Sequence, residues 1–369
     1  MMIREQFQIA ATIRRILIIQ LGDIGDVVWT VPTLISLHKA YQSAKVSILV
    51  REGSGALLSA EPYIDKIFEV PSPAGGFFAA AAEQVRFLHR LQNESFDLVV
   101  DLRSGDRGAF LSRLTGAPIR GALLHQDASF WRNHAFTHLV RPINEGIRTA
   151  YGAAEQSLRI IRGLGISTTT DAPALHVSSQ AAALARKILH RLDLAWDQES
   201  VLKKTMITLN PFSRWPYKEW DLERWVSVME GLAAEFGVKT VIIGSGSERP
   251  MAEAIVRRLP GRVFQVAGET SLDVLAALLS FSRLHMGVDS AAIHIAAAVG
   301  TPTVTIYGPS DWRDWAPVGE CHRVVVSDMD CVPCHQKGCR GEGRSLCLEK
   351  VSPEDVLSAV RALWTLPLQ

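Results

Sequence analysis

Short, largely apolar runs of strand length punctuate this chain, and helical periods separate them. In the first half these runs are Arg15 to Leu21 (RILIIQL), Val46 to Val50, Lys66 to Val70 and Phe96 to Asp101. Near-continuous apolar runs that end at turn residues suit strands buried on both faces of a parallel sheet. Val27, Val31, Leu34 and Tyr41 fall on one helical face, and Pro32 inside that pattern implies a kink or a late helix start. The second half repeats the rhythm. Strands are predicted over Met206 to Asn210, Thr240 to Gly244, Val263 to Val266, Leu284 to Gly287 and Thr303 to Ile306. Helices are predicted over Asp221 to Glu235, Glu248 to Leu259 and Leu272 to Phe281. Such alternation predicts an α/β protein of two Rossmann-like, doubly wound parallel-sheet domains. Loop-like polar sequence and one amphipathic helix around 165–204 separate the halves, giving domains 1–180 and 181–369. The last helix, Pro353 to Trp364, could stay with the second domain or cross back to the first.

A length of 369 residues accommodates two ordinary domains, and 47% hydrophobic with 21% charged residues describes a globular protein with a generous core. A formal net charge of +1 offers no basic face for nucleic acid. No apolar run approaches the ~20 residues of a bilayer span, and the N-terminus lacks the apolar stretch of a signal peptide. The expectation is therefore a cytoplasmic protein, with a peripheral membrane contact left open.

The segment Met286 to Asp311 (MGVDSAAIHIAAAVGTPTVTIYGPSD) carries the most chemistry. It reads as the end of a strand, then Asp289 and Ser290 opening a short helix that bears His294, then Gly300 and Pro302 stopping it. The backbone N–H groups of Ser290, Ala291 and Ala292 would be left open at that helix start. Small side chains and the helix dipole suit a phosphate or diphosphate there. Read blandly, Asp-Ser is an N-cap and His294 a core residue. In the first half, the turn QLGDIGDVVWTVP has Gly22 and Gly25 but not the G-x-G-x-x-G dinucleotide fingerprint, and it places Asp26 where a pyrophosphate would meet a negative charge. A carboxylate at the mouth of the first strand suits proton abstraction; alternatively Asp23 or Asp26 caps the next helix. Cys331, Cys334, Cys339 and Cys347 lie within 17 residues. They could hold zinc or an iron–sulfur centre, close one bridge, or pack as reduced thiols.

The turn with Gly25, Asp26, Thr30 and Pro32, the segment SRWPYKEW (Ser213 to Trp220) and the segment VDSAAIH…GTPTVTIYGP resemble the ADP-heptose:lipopolysaccharide heptosyltransferases of glycosyltransferase family 9. The SRWPYKEW form resembles the heptosyltransferase III branch. The resemblance runs from about Arg15 to the final helix. It implies the GT-B architecture, two Rossmann-like domains facing across a cleft, with acceptor bound by the first and nucleotide sugar by the second. It places a general base on Asp26 and a diphosphate-binding lysine on Lys218, with Ser213 at the start of the same loop. Glu248 matches a ribose-binding acid and Thr270 a position near the adenine. Asp289, Ser290, Ala291, Ala292 and His294 match the anion-binding helix. Ser290-Ala291 replaces the Thr-Gly common in the family, and Gly22-Asp23 stands where some members carry two serines. Spaced cysteines also occur in the family without carrying chemistry.

The reaction so implied is inverting transfer of heptose from ADP-L-glycero-D-manno-heptose to the inner core of lipopolysaccharide. Asp26 would take the acceptor's proton, while Lys218 and the helix amides stabilise the departing diphosphate without a metal or other cofactor. Gly22, Asp23, Gly25, Arg51, Asp101, Arg103 and Arg107 are candidate contacts to a phosphorylated, lipid-linked oligosaccharide acceptor. Such an acceptor implies peripheral contact with the cytoplasmic face of the inner membrane. The alternatives are a GT-B transferase or epimerase using another sugar nucleotide, a nicotinamide-dependent dehydrogenase, and a non-catalytic nucleotide-binding protein.

Overall fold

The computed structural model describes residues 1–9, 12–72, 76–103, 105–127, 129–141, 152–194 and 205–366. The chain divides into two units, Met1–Pro173 and Ala174–Gln369. The boundary falls before residue 180 because the Leu175 N–H donates to the Ala298 carbonyl at 2.8 Å and the helix Ser179–Arg191 packs on the helix Leu272–Ser280.

The first unit is built on β1 (Met2–Arg4), β2 (Arg15–Gln20), β3 (Lys45–Arg51), β4 (Lys66–Val70), β5 (Leu98–Asp101), β6 (Ile119–Leu123) and β7 (His138–Val140). They form one parallel seven-stranded sheet in the order β1-β7-β6-β5-β2-β3-β4. The chain winds outward from β2 to β4, then returns to β5 and winds the other way. Strand order therefore reverses between β2 and β5, where Ile16 faces Leu98 and Ile19 faces Asp101. Ile16 to Ile19 are fully buried, as expected of a central strand covered by helices on both faces. The helix Ile24–Ala40 follows β2 directly and runs through Pro32, so the proline neither delays nor ends it. Leu17, Ile19, Leu49, Phe87, Val99 and Leu111 share one core cluster of this unit.

The second unit repeats the scheme with β8 (Met206–Asn210), β9 (Lys239–Ile242), β10 (Val263–Gln265), β11 (His285–Val288), β12 (Thr303–Ile306) and β13 (His322–Val325). The parallel order is β10-β9-β8-β11-β12-β13, reversing between β8 and β11. Leu209, Trp225, Met229, Ile242, Met286 and Val304 lie in its core. The helix Pro353–Trp364 packs on the helix Leu222–Phe236 and on β12 and β13, which settles it in the second unit. Among the described residues no helix is long and apolar enough to cross a membrane.

In open α/β sheets ligands bind beyond the carboxyl ends of the strands where strand order reverses, because diverging connections leave a crevice there. The two crevices lie at the β2/β5 and β8/β11 junctions.

Candidate active site

At the β2/β5 crevice, Asp26 sits in the first turn of the helix Ile24–Ala40. Its Oδ2 accepts the Asp23 N–H at 2.9 Å, so it does cap its own helix. Its Oδ1 accepts from Arg103 Nη1 at 3.0 Å, and the side chain keeps 16% exposure. Capping and an outward-facing carboxylate thus coexist in one residue. Gln20 Nε2 donates to Thr30 Oγ1 and Thr30 Oγ1 donates to the Asp26 carbonyl, both at 2.8 Å, which fixes the turn to the end of β2. Gly22 is required because a Cβ there would collide with Asp26 Oδ2. Gly25 lies in the same helical turn.

Around this carboxylate, Asp23 pairs with Arg51 from the end of β3 at 3.0 Å, both half-exposed. Arg107 is exposed on the first turn of the helix Asp106–Leu114. Asp101 differs from expectation: at 0% exposure it cannot meet an acceptor directly. Its Oδ1 accepts the Arg103 N–H at 3.1 Å, beneath the surface that Arg103 and Asp26 form. Burial pushes its carboxyl up to about 7, outweighing the Arg103 N–H bond and the Arg132 and Arg103 charges, which act downward.

At the β8/β11 crevice, the loop after β8 carries Ser213 and Lys218. Ser213 donates its N–H to Glu219 Oε1 at 2.9 Å, and its hydroxyl accepts the Trp215 N–H at 3.2 Å. Lys218 ends a 3-10 turn, and its Nζ lies 2.5 Å from Asp289 Oδ2, with side-chain exposures of 22% and 10%. Asp289 follows β11, and Ser290 is the extended N-cap of the helix Ala291–Ala298. Ser290 makes no side-chain cap, because its hydroxyl instead accepts from Asn210 Nδ2 at 3.3 Å. The first-turn amides of Ala291 and Ala292 are therefore not closed off by their own cap and face the same end of the sheet as Lys218. His294 is buried on that helix; burial pushes its imidazole down to about 4, with Asp289 acting upward and Lys218 downward. It is neutral near pH 7, able to orient a ligand but not to add charge.

Glu248 and Thr270 flank this crevice from the neighbouring strands. Glu248 follows β9, and its Oε2 accepts the Ser245 N–H at 2.6 Å. Thr270 is half-buried in the turn after β10, just before Ser271, the N-cap of the helix Leu272–Ser280. Sequence reasoning missed Asn210, Glu219 and Arg132. Asn210 ends β8 and Glu219 adjoins Lys218, so proximity to the motif was the available signal for both. Burial raises the Glu219 carboxyl, and Glu248 nearby adds to that. The five cysteines are free thiols. Among the described residues no group of three or more His, Cys, Asp or Glu side chains stands ready to hold a metal ion.

Two parallel sheets of Rossmann order, each reversing its strand order at its centre, have the GT-B architecture. Residues 84–344 match glycosyltransferase family 9 (heptosyltransferase), and the chain belongs to that family. It is 27% identical to lipopolysaccharide heptosyltransferase 3 of Escherichia coli, over 92% of this chain and 96% of that protein. Two solved structures share the fold. The glycosyltransferase family 9 protein of Veillonella parvula superposes with a TM-score of 0.78 at 23% identity, over 95% of this chain and 97% of that one. The ADP-heptose lipopolysaccharide heptosyltransferase II of E. coli gives 0.73 at 21% identity, over 95% and 98%.

Proposed function

We propose that this glycosyltransferase moves heptose from ADP-L-glycero-D-manno-heptose to the inner core of lipopolysaccharide, inverting the anomeric carbon. The observation that carries the reading is the pairing of Lys218 with the uncapped helix start at Ser290, Ala291 and Ala292. That arrangement suits a diphosphate, and the names of the relatives supply adenine and heptose. An acceptor hydroxyl is too weak an acid to ionise near pH 7, so Asp26 takes its proton as the hydroxyl attacks the anomeric carbon. The bond from that carbon to the diphosphate breaks, and ADP leaves with the bonding electrons. Lys218 and the helix amides stabilise the charge that develops on it. A single displacement needs one base and inverts the centre, and no resident metal or cofactor is required. Ser213, Glu248, Thr270 and His294 bind and orient the donor, and Asp289 holds Lys218 beside it. Asp23, Arg51, Arg103 and Arg107 meet the acidic acceptor.

A lipid-linked acceptor brings the protein to the cytoplasmic face of the inner membrane as a peripheral enzyme. The helix Phe77–Asn93 supports that placement, with Phe78 at 86% and Val85 at 65% exposure and Arg86 and Arg90 nearby on its exposed surface. Competition against a fluorescent donor analogue tests the reading. ADP should displace it far better than UDP or GDP; equal displacement by UDP overturns the donor assignment.

A further inference from the structure

We propose that Asp101 and Arg132 are positioning residues for Asp26, acting through Arg103; this rests on the reading of Asp26 as the base. Arg103 lies just beyond β5, and its side chain is 42% exposed where it meets Asp26 at 3.0 Å. A long exposed side chain holds a fixed geometry only if its backbone is fixed, since its rotamers are otherwise free. Both peptide groups of Arg103 are tied down from beneath. The N–H donates to Asp101 Oδ1 at 3.1 Å, and the carbonyl accepts from Arg132 Nη2 at 3.0 Å. Asp101 and Arg132 are both at 0% exposure, 4.0 Å apart at Oδ2 and Nη2.

Arg132 is itself held by its fork. Nη1 donates to the Leu123 carbonyl at 2.9 Å and to Asn133 Oδ1 at 3.0 Å, and Asn133 Nδ2 donates to the His125 carbonyl at 2.9 Å. Gly108 lets the helix Asp106–Leu114 close over the carboxylate, because a Cβ there would lie 2.5 Å from Asp101 Oδ1. The result is a row of side chains, Asp26, Arg103, Asp101 and Arg132, whose inner half is sealed from solvent. A buried ion pair yields little net stability, since desolvation offsets the attraction. The placement of Arg103, and through it of Asp26, is what this pair supplies. Arginine rather than lysine is needed at 132, because only the planar fork spans three oxygen acceptors on separate segments.

The test uses Asp101→Ala, Arg132→Lys and the milder Asn133→Ala in the full chain, with heptosyl transfer, ADP affinity and melting temperature measured together. Misplacing a reacting group by about 1 Å costs on the order of 100-fold. The expected result is a kcat lowered roughly 10- to 100-fold in the first two variants and several-fold in Asn133→Ala, with donor KM and ADP affinity unchanged. Asp101→Ala removes the acceptor of the Arg103 N–H, which asparagine would keep, and the melting temperature shows whether the fold survives the loss. Wild-type kcat in any folded Asp101 or Arg132 variant overturns the proposal, as does a loss that follows melting temperature across the three. Absence of transfer by the wild-type enzyme would instead overturn the proposed function, so the two failures are distinguishable.

Discussion

Replacing Lys218 by alanine should weaken ADP binding roughly 10- to 100-fold, and the ion pair with Asp289 shows why the loss has two parts. A charge-assisted hydrogen bond from a lysine to a diphosphate oxygen contributes about 1.5–3 kcal/mol, and about 1.4 kcal/mol corresponds to tenfold in affinity. The second part comes from Asp289. Its carboxylate is 10% exposed and lies 2.5 Å from Lys218 Nζ, so the lysine neutralises a negative charge placed beside an anion site. Without Lys218, Asp289 repels the diphosphate. Lys218→Ala with Asp289→Asn should therefore bind ADP more tightly than Lys218→Ala alone, a coupling that a double-mutant cycle isolates. Isothermal titration with ADP on the wild type, both single variants and the double variant reads all four corners. Melting temperatures belong beside them, because Lys218→Ala strands a largely buried carboxylate and should destabilise the second unit. Equal ADP affinity in wild type and Lys218→Ala would refute the reasoning and make the pair purely structural. A double variant weaker than Lys218→Ala would refute the repulsion.

Two further outcomes follow from the first unit. Asp26→Asn keeps an acceptor for the Asp23 N–H but loses the base, so kcat should fall by about 10²–10⁴-fold with ADP affinity unchanged; steady-state transfer with parallel titration checks it, and near-normal turnover would remove Asp26 as base. Asp101 gives a pH signature: it keeps its proton in the folded state up to about 7, whereas its ordinary value is 3.8. Between those values the folded chain binds more protons than the unfolded one, so this residue's contribution to stability is full below pH 4 and is lost as pH rises towards 7. Urea unfolding of wild type and Asp101→Asn at pH 5.5 and pH 8 should find wild type relatively more stable at the lower pH, by at most on the order of 4 kcal/mol over the whole window. A pH-independent difference would contradict the assignment.

The central strands were legible because burial on both faces writes itself as an apolar run, and β2, β3, β8, β11 and β12 fall within a residue or two of their predicted bounds. β1 was not predicted, because Met2 to Arg4 is exposed and ordered only by pairing with β7 at the sheet edge. β6, β7 and β13 are short and partly exposed, so they carry no comparable run. Boundary residues shifted for a similar reason: Leu175 is tied to Ala298 by a backbone bond that no local pattern announces. In the candidate site, motifs nominate Asp26, Lys218 and the helix opened by Ser290, since those depend on residue type and short spacing. They said nothing of the long-range ties. Arg132 reaches Arg103 from 29 positions away, and Lys218 reaches Asp289 from 71. Asp101 stands among the candidate acceptor contacts in sequence, whereas Gly108 admits a helix over it and leaves it at 0% exposure.

The most direct measurement is transfer itself. The purified protein is mixed with ADP-heptose, a chelator and lipopolysaccharide whose inner core lacks its last heptose, and the glycolipid is followed by mass spectrometry. The account predicts that the mass rises by one heptose as one ADP is released, with UDP- and GDP-sugars inactive and Asp26→Asn close to background. Transfer from a UDP- or GDP-sugar in place of ADP-heptose, or dependence on an added metal ion, would contradict it.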